Sequence, residues 1–359
     1  MNAPASHERE HARRLVLAHG YNTTAYQILH PGIALWFPPD GEAVVGFVRH
    51  GRTRVVAGAP VCASHRLADV AAAFEADAAR RGEDVCYFAA EARLQTTPRV
   101  GGRYARVLLG AQPVWRPEGL LATIEGHASL RAQLHRARNK GVEVAEWPAA
   151  RAERDPELRR CLREWLATRG LPPLHFLVEP QTLDWVLDRR VFVAVRAARP
   201  VAFLMATPIP VRAGWLVEQI VRGSEACNGT SELLLAAATR ALADARAELI
   251  TLGLAPLSRH GVPPDYAPPL WIRALFAWLR AHGRRFYDFR GLEAFKAKFR
   301  PERWEPIYAL TTARRVTPRA LHAIAGAFAR GSPAALIARG LLRALRTEAR
   351  RLLRGRQRK

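Results

Sequence analysis

The chain has 359 residues, 49% of them apolar, enough to build one large domain or two ordinary ones around a sizeable core, so a disordered chain is excluded. Its formal charge of +23 at pH 7 draws polyanions, either nucleic acid or an anionic lipid leaflet. Cys62, Cys86, Cys161 and Cys227 lie far apart, with neither CxxC nor zinc spacing, and read as core residues of a protein in a reducing compartment. The first residues lack an apolar signal-peptide core. No apolar run approaches the ~18–20 residues of a membrane-spanning helix, so a soluble or peripheral chain is expected.

In chain order, Ile33–Phe37, Ala43–Arg49 and Thr53–Ala57 are short β-rich runs, and the turn at Arg49–Arg52 predicts a hairpin between the last two. Leu67–Arg80 has helical apolar spacing and stops at Gly82. Val85–Ala89 and Tyr104–Leu109 are predicted strands, and Ser129–Lys140 a basic helix closed by Gly141. The plan then repeats. Leu158–Thr168 is a predicted helix, Val191–Arg196 and Val201–Thr207 an antiparallel pair, and Gly214–Val221 a third strand. Asn228–Ser231 caps a long helix to about Arg246, followed by a strand at Leu249–Gly253 and a helix at Pro269–Ala281.

Helix, hairpin, strand, capped helix, strand is the order of an N-acetyltransferase-like fold. Seen roughly twice, it predicts a tandem α/β (α+β) architecture of mixed sheets flanked by helices. The expected units are residues 18–150, residues 151–315 with the candidate chemistry, and a basic tail at 316–359. In the tail, thirteen Arg/Lys face one acid, Glu348, from Arg314 onward. Leu341, Leu342, Leu345, Leu352 and Leu353 fall on one helical face, and Arg339, Arg343, Arg346, Arg350 and Arg354 on the other. Such a helix can lie in a membrane interface, bind nucleic acid, or pack its Leu face on its own domain.

Two segments can carry chemistry. Trp215–Leu235 reads as a strand, a loop and a helix start, whose first N–H groups suit a phosphate or an oxyanion. Glu218, Gln219 and Arg222 sit at the strand exit, Gly229 would let a ligand approach, and an ordinary N-cap at Asn228 or Thr230 is the plainer alternative. Phe286–Ala309 interleaves Lys296 and Lys298 with Phe295, Phe299 and Trp304. That pattern suits a ligand with apolar and anionic parts, and equally a helix that buries Phe while its Lys stems snorkel. No GxSxG or GxxxxGK[ST] pattern occurs, and neither a metal nor ATP is expected. The Arg222–Cys227 stretch is a poor match to a Gly-rich coenzyme A turn.

Asn228–Ser258 (NGTSELLLAAATRALADARAELITLGLAPLS) and Phe289–Leu310 (FRGLEAFKAKFRPERWEPIYAL) resemble the catalytic domain of phosphatidylglycerol lysyltransferases, the aminoacyl-phosphatidylglycerol synthases. Gly20–Phe37, the turn Gly58-Ala59-Pro60 and Ser129–Val144 extend the resemblance over about residues 18–312. It implies aminoacyl-tRNA as co-substrate with no other cofactor, an anionic membrane lipid as acceptor, and a cytoplasmic protein peripheral to the inner membrane face. Family members with a transmembrane flippase carry it in front of this part, so a separate flippase is an expected partner.

Matched residue by residue, the resemblance makes Glu218, Arg222, Glu232 and Lys298 the catalytic candidates. Gln219 stands where the family often has an acid, which leaves Glu218 and Glu232 as rivals for that role. The substrate-binding candidates are Gln219, Asn228, Gly229, Thr230, Ser231, Asp288, Arg290, Lys296 and Trp304. Two other functions fit the same residues: transfer to a peptide or cell-wall precursor, and a non-catalytic nucleic-acid- or membrane-binding protein.

Overall fold

A computed structural model describes residues 3–98, 101–169, 174–184, 186–282 and 287–329. In order, it holds α1 (Ala3–His19), β1 (Ala34–Trp36), β2 (Val45–His50), β3 (Thr53–Ala57), α2 (Leu67–Arg80), β4 (Asp84–Glu91), α3 (Ala92–Thr96), β5 (Ala105–Trp115), α4 (Pro117–Gly126), α5 (Ala128–Asn139) and β6 (Val142–Trp147). There follow α6 (Ala149–Arg154), α7 (Pro156–Ala167), β7 (Arg190–Arg196), β8 (Arg199–Ile209), β9 (Gly214–Arg222), α8 (Thr230–Asp244), β10 (Leu249–Thr251), β11 (Ala255–Pro256), α9 (Leu270–His282), α10 (Phe289–Ala297), β12 (Arg303–Thr311) and α11 (Pro318–Ala329). The arginine-rich tail helix expected at Arg339–Arg354 lies outside the described residues.

The strands form one mixed sheet in the order β1-β2-β3-β4-β12-β5-β10-β9-β8-β7-β6, with β11 paired to β5. One winding occurs twice, as expected. Antiparallel β1, β2 and β3 lead through α2 to β4, which is parallel to β3. Antiparallel β7, β8 and β9 lead through α8 to β10, which is parallel to β9. A parallel neighbour requires such a crossover, because a hairpin can only return the chain antiparallel. The hairpin turn between β2 and β3 works because Gly51 takes a left-handed conformation, φ 58°.

The two windings join edge to edge through β5 and β10. The expected boundaries at 150 and 315 cut across this packing. Helices α4 and α5 supply Leu120, Ile124, Leu130 and Leu134 to the core under α8, where they meet Leu234, Leu235 and Leu242. Strand β12 returns from the far end of the chain to lie between β4 and β5. β5 runs six residues beyond the expected Leu109, through Pro113, which stands opposite Trp304 of β12.

Helix α2 shows how the apolar pattern sets the layers. Leu67, Val70, Ala71, Phe74 and Ala78 recur every three or four residues and are buried against the first half of the sheet. Each large member contributes about 1.5–3 kcal/mol by leaving water. On the second half, α8 covers one face of β8 through Ala202, Leu204 and Ala206, while α7 covers the other through Phe203 and Met205. That alternation decides which side chains of β8 and β9 can face α8.

Candidate functional site

Strand β9 pairs with β8 along its length but with β10 only at Gly214, Trp215 and Leu216. Past that point the chain leaves β10, with Gly253 in a left-handed conformation (φ 68°). The last residues of β9 thus have no strand partner on that side among the described residues. Beside this opened edge starts α8, whose first turn carries Glu232.

Helix α10 packs on β11, just past the point where β10 ends. Its buried Lys296 donates from Nζ to the carbonyls of Gly253 and Leu254, both at 2.8 Å. Burial lowers the Lys296 ammonium to about 7, and the two carbonyl dipoles are the groups that hold its proton. Just beyond α10, Lys298 Nζ lies 2.5 Å from Glu232 Oε1 and 4.1 Å from the centre of the Phe295 ring. Lys298 remains about one-third exposed, whereas the Glu232 carboxylate is mostly covered. The C-terminal end of this segment is pinned by Trp115, whose indole N–H donates to the Phe299 carbonyl at 2.9 Å. Glu232, Lys296, Lys298 and Phe295 therefore converge on the opened edge. The carboxylate can take an ammonium or a proton, and Lys298 can neutralise an anion.

The other candidates occupy different positions. A β-bulge makes Glu218 the extra residue of β9, turned away from α8 toward Thr207. Its carboxylate takes hydrogen bonds from Thr207 Oγ1 at 2.6 Å and from Arg189 Nη2 at 2.9 Å. Burial opposes its charge, yet Arg189, His30 and Thr207 outweigh that and hold the carboxyl below its usual range. Gln219 accepts from Thr182 Oγ1. Arg222 folds its guanidinium back onto the carbonyls of Ala226 and Cys227, bracing the loop that enters α8.

The cap of α8 differs from the plainer expectation of an N-cap at Asn228 or Thr230. The N-cap is Gly229 (φ 95°), with no side-chain cap bond, and Thr230 Oγ1 donates backward to the Cys227 carbonyl. A Cβ on Gly229 would stand 2.0 Å from the Gln133 carbonyl, so this close approach is to α5 rather than to a ligand. Thr230 and Ser231 are buried under that contact, and Asn228 is exposed. Asp288 caps α10 by accepting from the Gly291 amide, and Arg290 is exposed. Trp304 stacks on His260 with ring centres 4.5 Å apart.

Several polar groups had no local signal in the sequence. Arg189 and His30 meet Glu218 only through the tertiary fold. Glu91, Gln112 and Glu305 gather around Arg212 where the two windings join. A cavity of about 890 Å³ opens beside them, lined by Tyr21, Arg116, Arg212, Arg246, Arg303 and Glu305, among others. It lies at the far end of α8, where Ala243 and Arg246 line it, about 16 Å along the helix from Glu232. Among the described residues no helix is long and apolar enough to cross a membrane.

The fold is a mixed α/β arrangement of the tandem acetyltransferase-like kind. A family model described as phosphatidylglycerol lysyltransferase, C-terminal, matches residues 13–311. The chain belongs to that transferase family. Its fold is similar to the C-terminal domain of a protein from Agrobacterium fabrum named as a lysylphosphatidylglycerol synthetase, with a TM-score of 0.75 and 21% identity over 90% of this chain and 98% of that one. It is similar as well to L-PGS from Bacillus licheniformis, with a TM-score of 0.68 and 20% identity over 93% and 95%. A more distant likeness is to FemX, with a TM-score of 0.52 and 10% identity over 88% and 98%. An uncharacterized protein of Corynebacterium glutamicum is 21% identical over 309 residues, 83% of this chain. The chain spans 38% of the length of that curated relative.

Proposed function

We propose that this chain moves an amino acid from aminoacyl-tRNA onto a hydroxyl of a membrane lipid such as phosphatidylglycerol. The observation that carries this reading is the Glu232–Lys298 pair beside the opened edge of β9, in a chain of the lysyltransferase family. The reaction is a transesterification. The lipid hydroxyl oxygen attacks the ester carbonyl carbon, the tetrahedral oxyanion collapses, and the tRNA 3′-end oxygen leaves with the proton that the lipid gave up. No oxidant, reductant or ATP is needed, because the ester is already activated.

In this reading Glu232 takes the attacking hydroxyl's proton or holds the amino acid's α-ammonium. Lys298, freed from Glu232 when substrate enters, neutralises the oxyanion or a phosphate. Lys296 is a positioning residue: it ties α10 to the Gly253–Leu254 carbonyls and so sets where Lys298 stands. The net charge of +23 suits both a tRNA and an anionic leaflet. Work at the inner face of the cytoplasmic membrane, beside a separate flippase, belongs to the same proposal.

The test incubates the protein with aminoacyl-tRNA carrying radiolabelled amino acids and with liposomes of bacterial lipids. Label that enters the organic phase and is abolished by ribonuclease pretreatment is the expected result. Label found only on an added peptide or cell-wall precursor would overturn the lipid acceptor, and tight tRNA binding with no product would leave a binding protein.

A further inference from the structure

Helix α9 buries one side and shows the other to solvent. Ile272 is fully buried against Val107 and Ala309, and Phe276 packs on the same cluster. On the opposite side Leu270, Trp271, Ala274, Ala277, Trp278 and Ala281 are all exposed, at the three- and four-residue spacing of one helical face. Leu270 is 76% exposed, Trp278 55% and Trp271 38%. Two tryptophans thus stand two turns apart on a solvent-facing stripe.

The charge around this stripe selects its occupant. Leu257–Tyr287 contains five arginines and a single acid, Asp265. Exposed Arg273 flanks the stripe, and Asp265 is engaged by Arg106. Tryptophans set in a basic amphipathic helix are the composition that lies at the interface of an anionic bilayer. A site for one soluble ligand would be concave, whereas this surface is convex.

We propose that the α9 stripe is the surface on which the chain seats on an anionic lipid bilayer, with Trp271 and Trp278 entering the headgroup region. The seat is mechanically tied to the candidate site. Arg280 of α9 donates to the Leu257 carbonyl and, at 3.1 Å, to Glu293 of α10, the helix that carries Lys296 and leads into Lys298. The proposal rests on the lipid-acceptor reading for its purpose, but it is tested by binding alone.

The 359-residue chain, and the same chain with Trp271→Ser and Trp278→Ser, are sedimented with vesicles of phosphatidylglycerol and phosphatidylcholine and with pure phosphatidylcholine vesicles. Both replaced side chains are exposed, so thermal unfolding should match the parent, and Trp271→Phe with Trp278→Phe should keep most of the binding. The parent is expected to bind the anionic vesicles, and the double serine variant to lose roughly tenfold or more. Equal binding by the serine variant would overturn the proposal, since the tail would then suffice, and so would a parent that binds no vesicles. A dimer of the parent that the same substitutions dissociate, without vesicle binding, would make the stripe a protein interface. Vesicle binding without lipid labelling would remove the transferase function and leave this seat standing.

Discussion

Glu218 and Glu232 began as rivals for one role, and their surroundings separate them. Glu218 closes a buried polar knot. Arg189, whose side chain is wholly inaccessible, pairs with it, and Arg189 Nη2 also meets His30 Nε2 at 3.0 Å. Removing the carboxylate takes away the acid that pairs with this buried cation. Glu218→Ala should therefore cost about 3–5 kcal/mol of stability, read as a large drop in the urea midpoint. Glu232 is nearer solvent and shares its partner, Lys298, with the opened edge. At this scale the sequence was only half legible. Residue type and spacing marked Lys296 and Lys298, and the family resemblance marked Glu232. Nothing local distinguished an acid that faces α8 from one that a β-bulge turns to the other side of the sheet. Arg189 and His30 are joined to Glu218 by tertiary contacts across about 30 and 190 positions of chain.

At the scale of elements, the close contact of α8 with α5 sets the direction of the candidate acid. Gly229 combines φ 95° with a carbonyl where its Cβ would be. Gly229→Ala should cost about 2–3 kcal/mol or shift α8 away from α5, and transfer should fall with it. A thermal scan and a transfer assay on the same preparation check both. The predicted elements that matched were those with clear periodicity and punctuation, such as Thr53–Ala57 and Leu67–Arg80. Helix α4 has no counterpart among the predicted elements, although Pro117 is well suited to the first turn of a helix. Strand β12 has no counterpart among the predicted elements either, because its partners β4 and β5 lie far back in the sequence.

For the whole molecule, the joint between the windings should give stability a characteristic pH dependence. Glu91 of β4 is buried beside Arg212, with Glu305 on the other side of the guanidinium. Burial raises its carboxyl to about 7 against the pull of Arg212, from 4.5 in the unfolded chain. Between those values the folded state holds more protons than the unfolded one. The contribution is fully present below about 4.5 and is lost as pH rises through about 7. Glu91→Gln should flatten that slope by an amount on the order of 3 kcal/mol, while Glu305 still pairs Arg212. Urea unfolding of both proteins from pH 5 to pH 8 measures it. The tandem winding was legible in the order of elements. The joining of both halves into one sheet was not, because strand order depends on pairings that no window of sequence contains.

The central claim is that transfer takes place at the Glu232–Lys298 pair. Its most direct measurement is the single-turnover rate of aminoacyl transfer to lipid for Lys298→Ala, Glu232→Gln and the double variant, each first shown to unfold at the parent's temperature. The account predicts a loss of about 100-fold for each single change, and little further loss in the double variant, because the two act as one unit. Undiminished transfer by folded Lys298→Ala would contradict it.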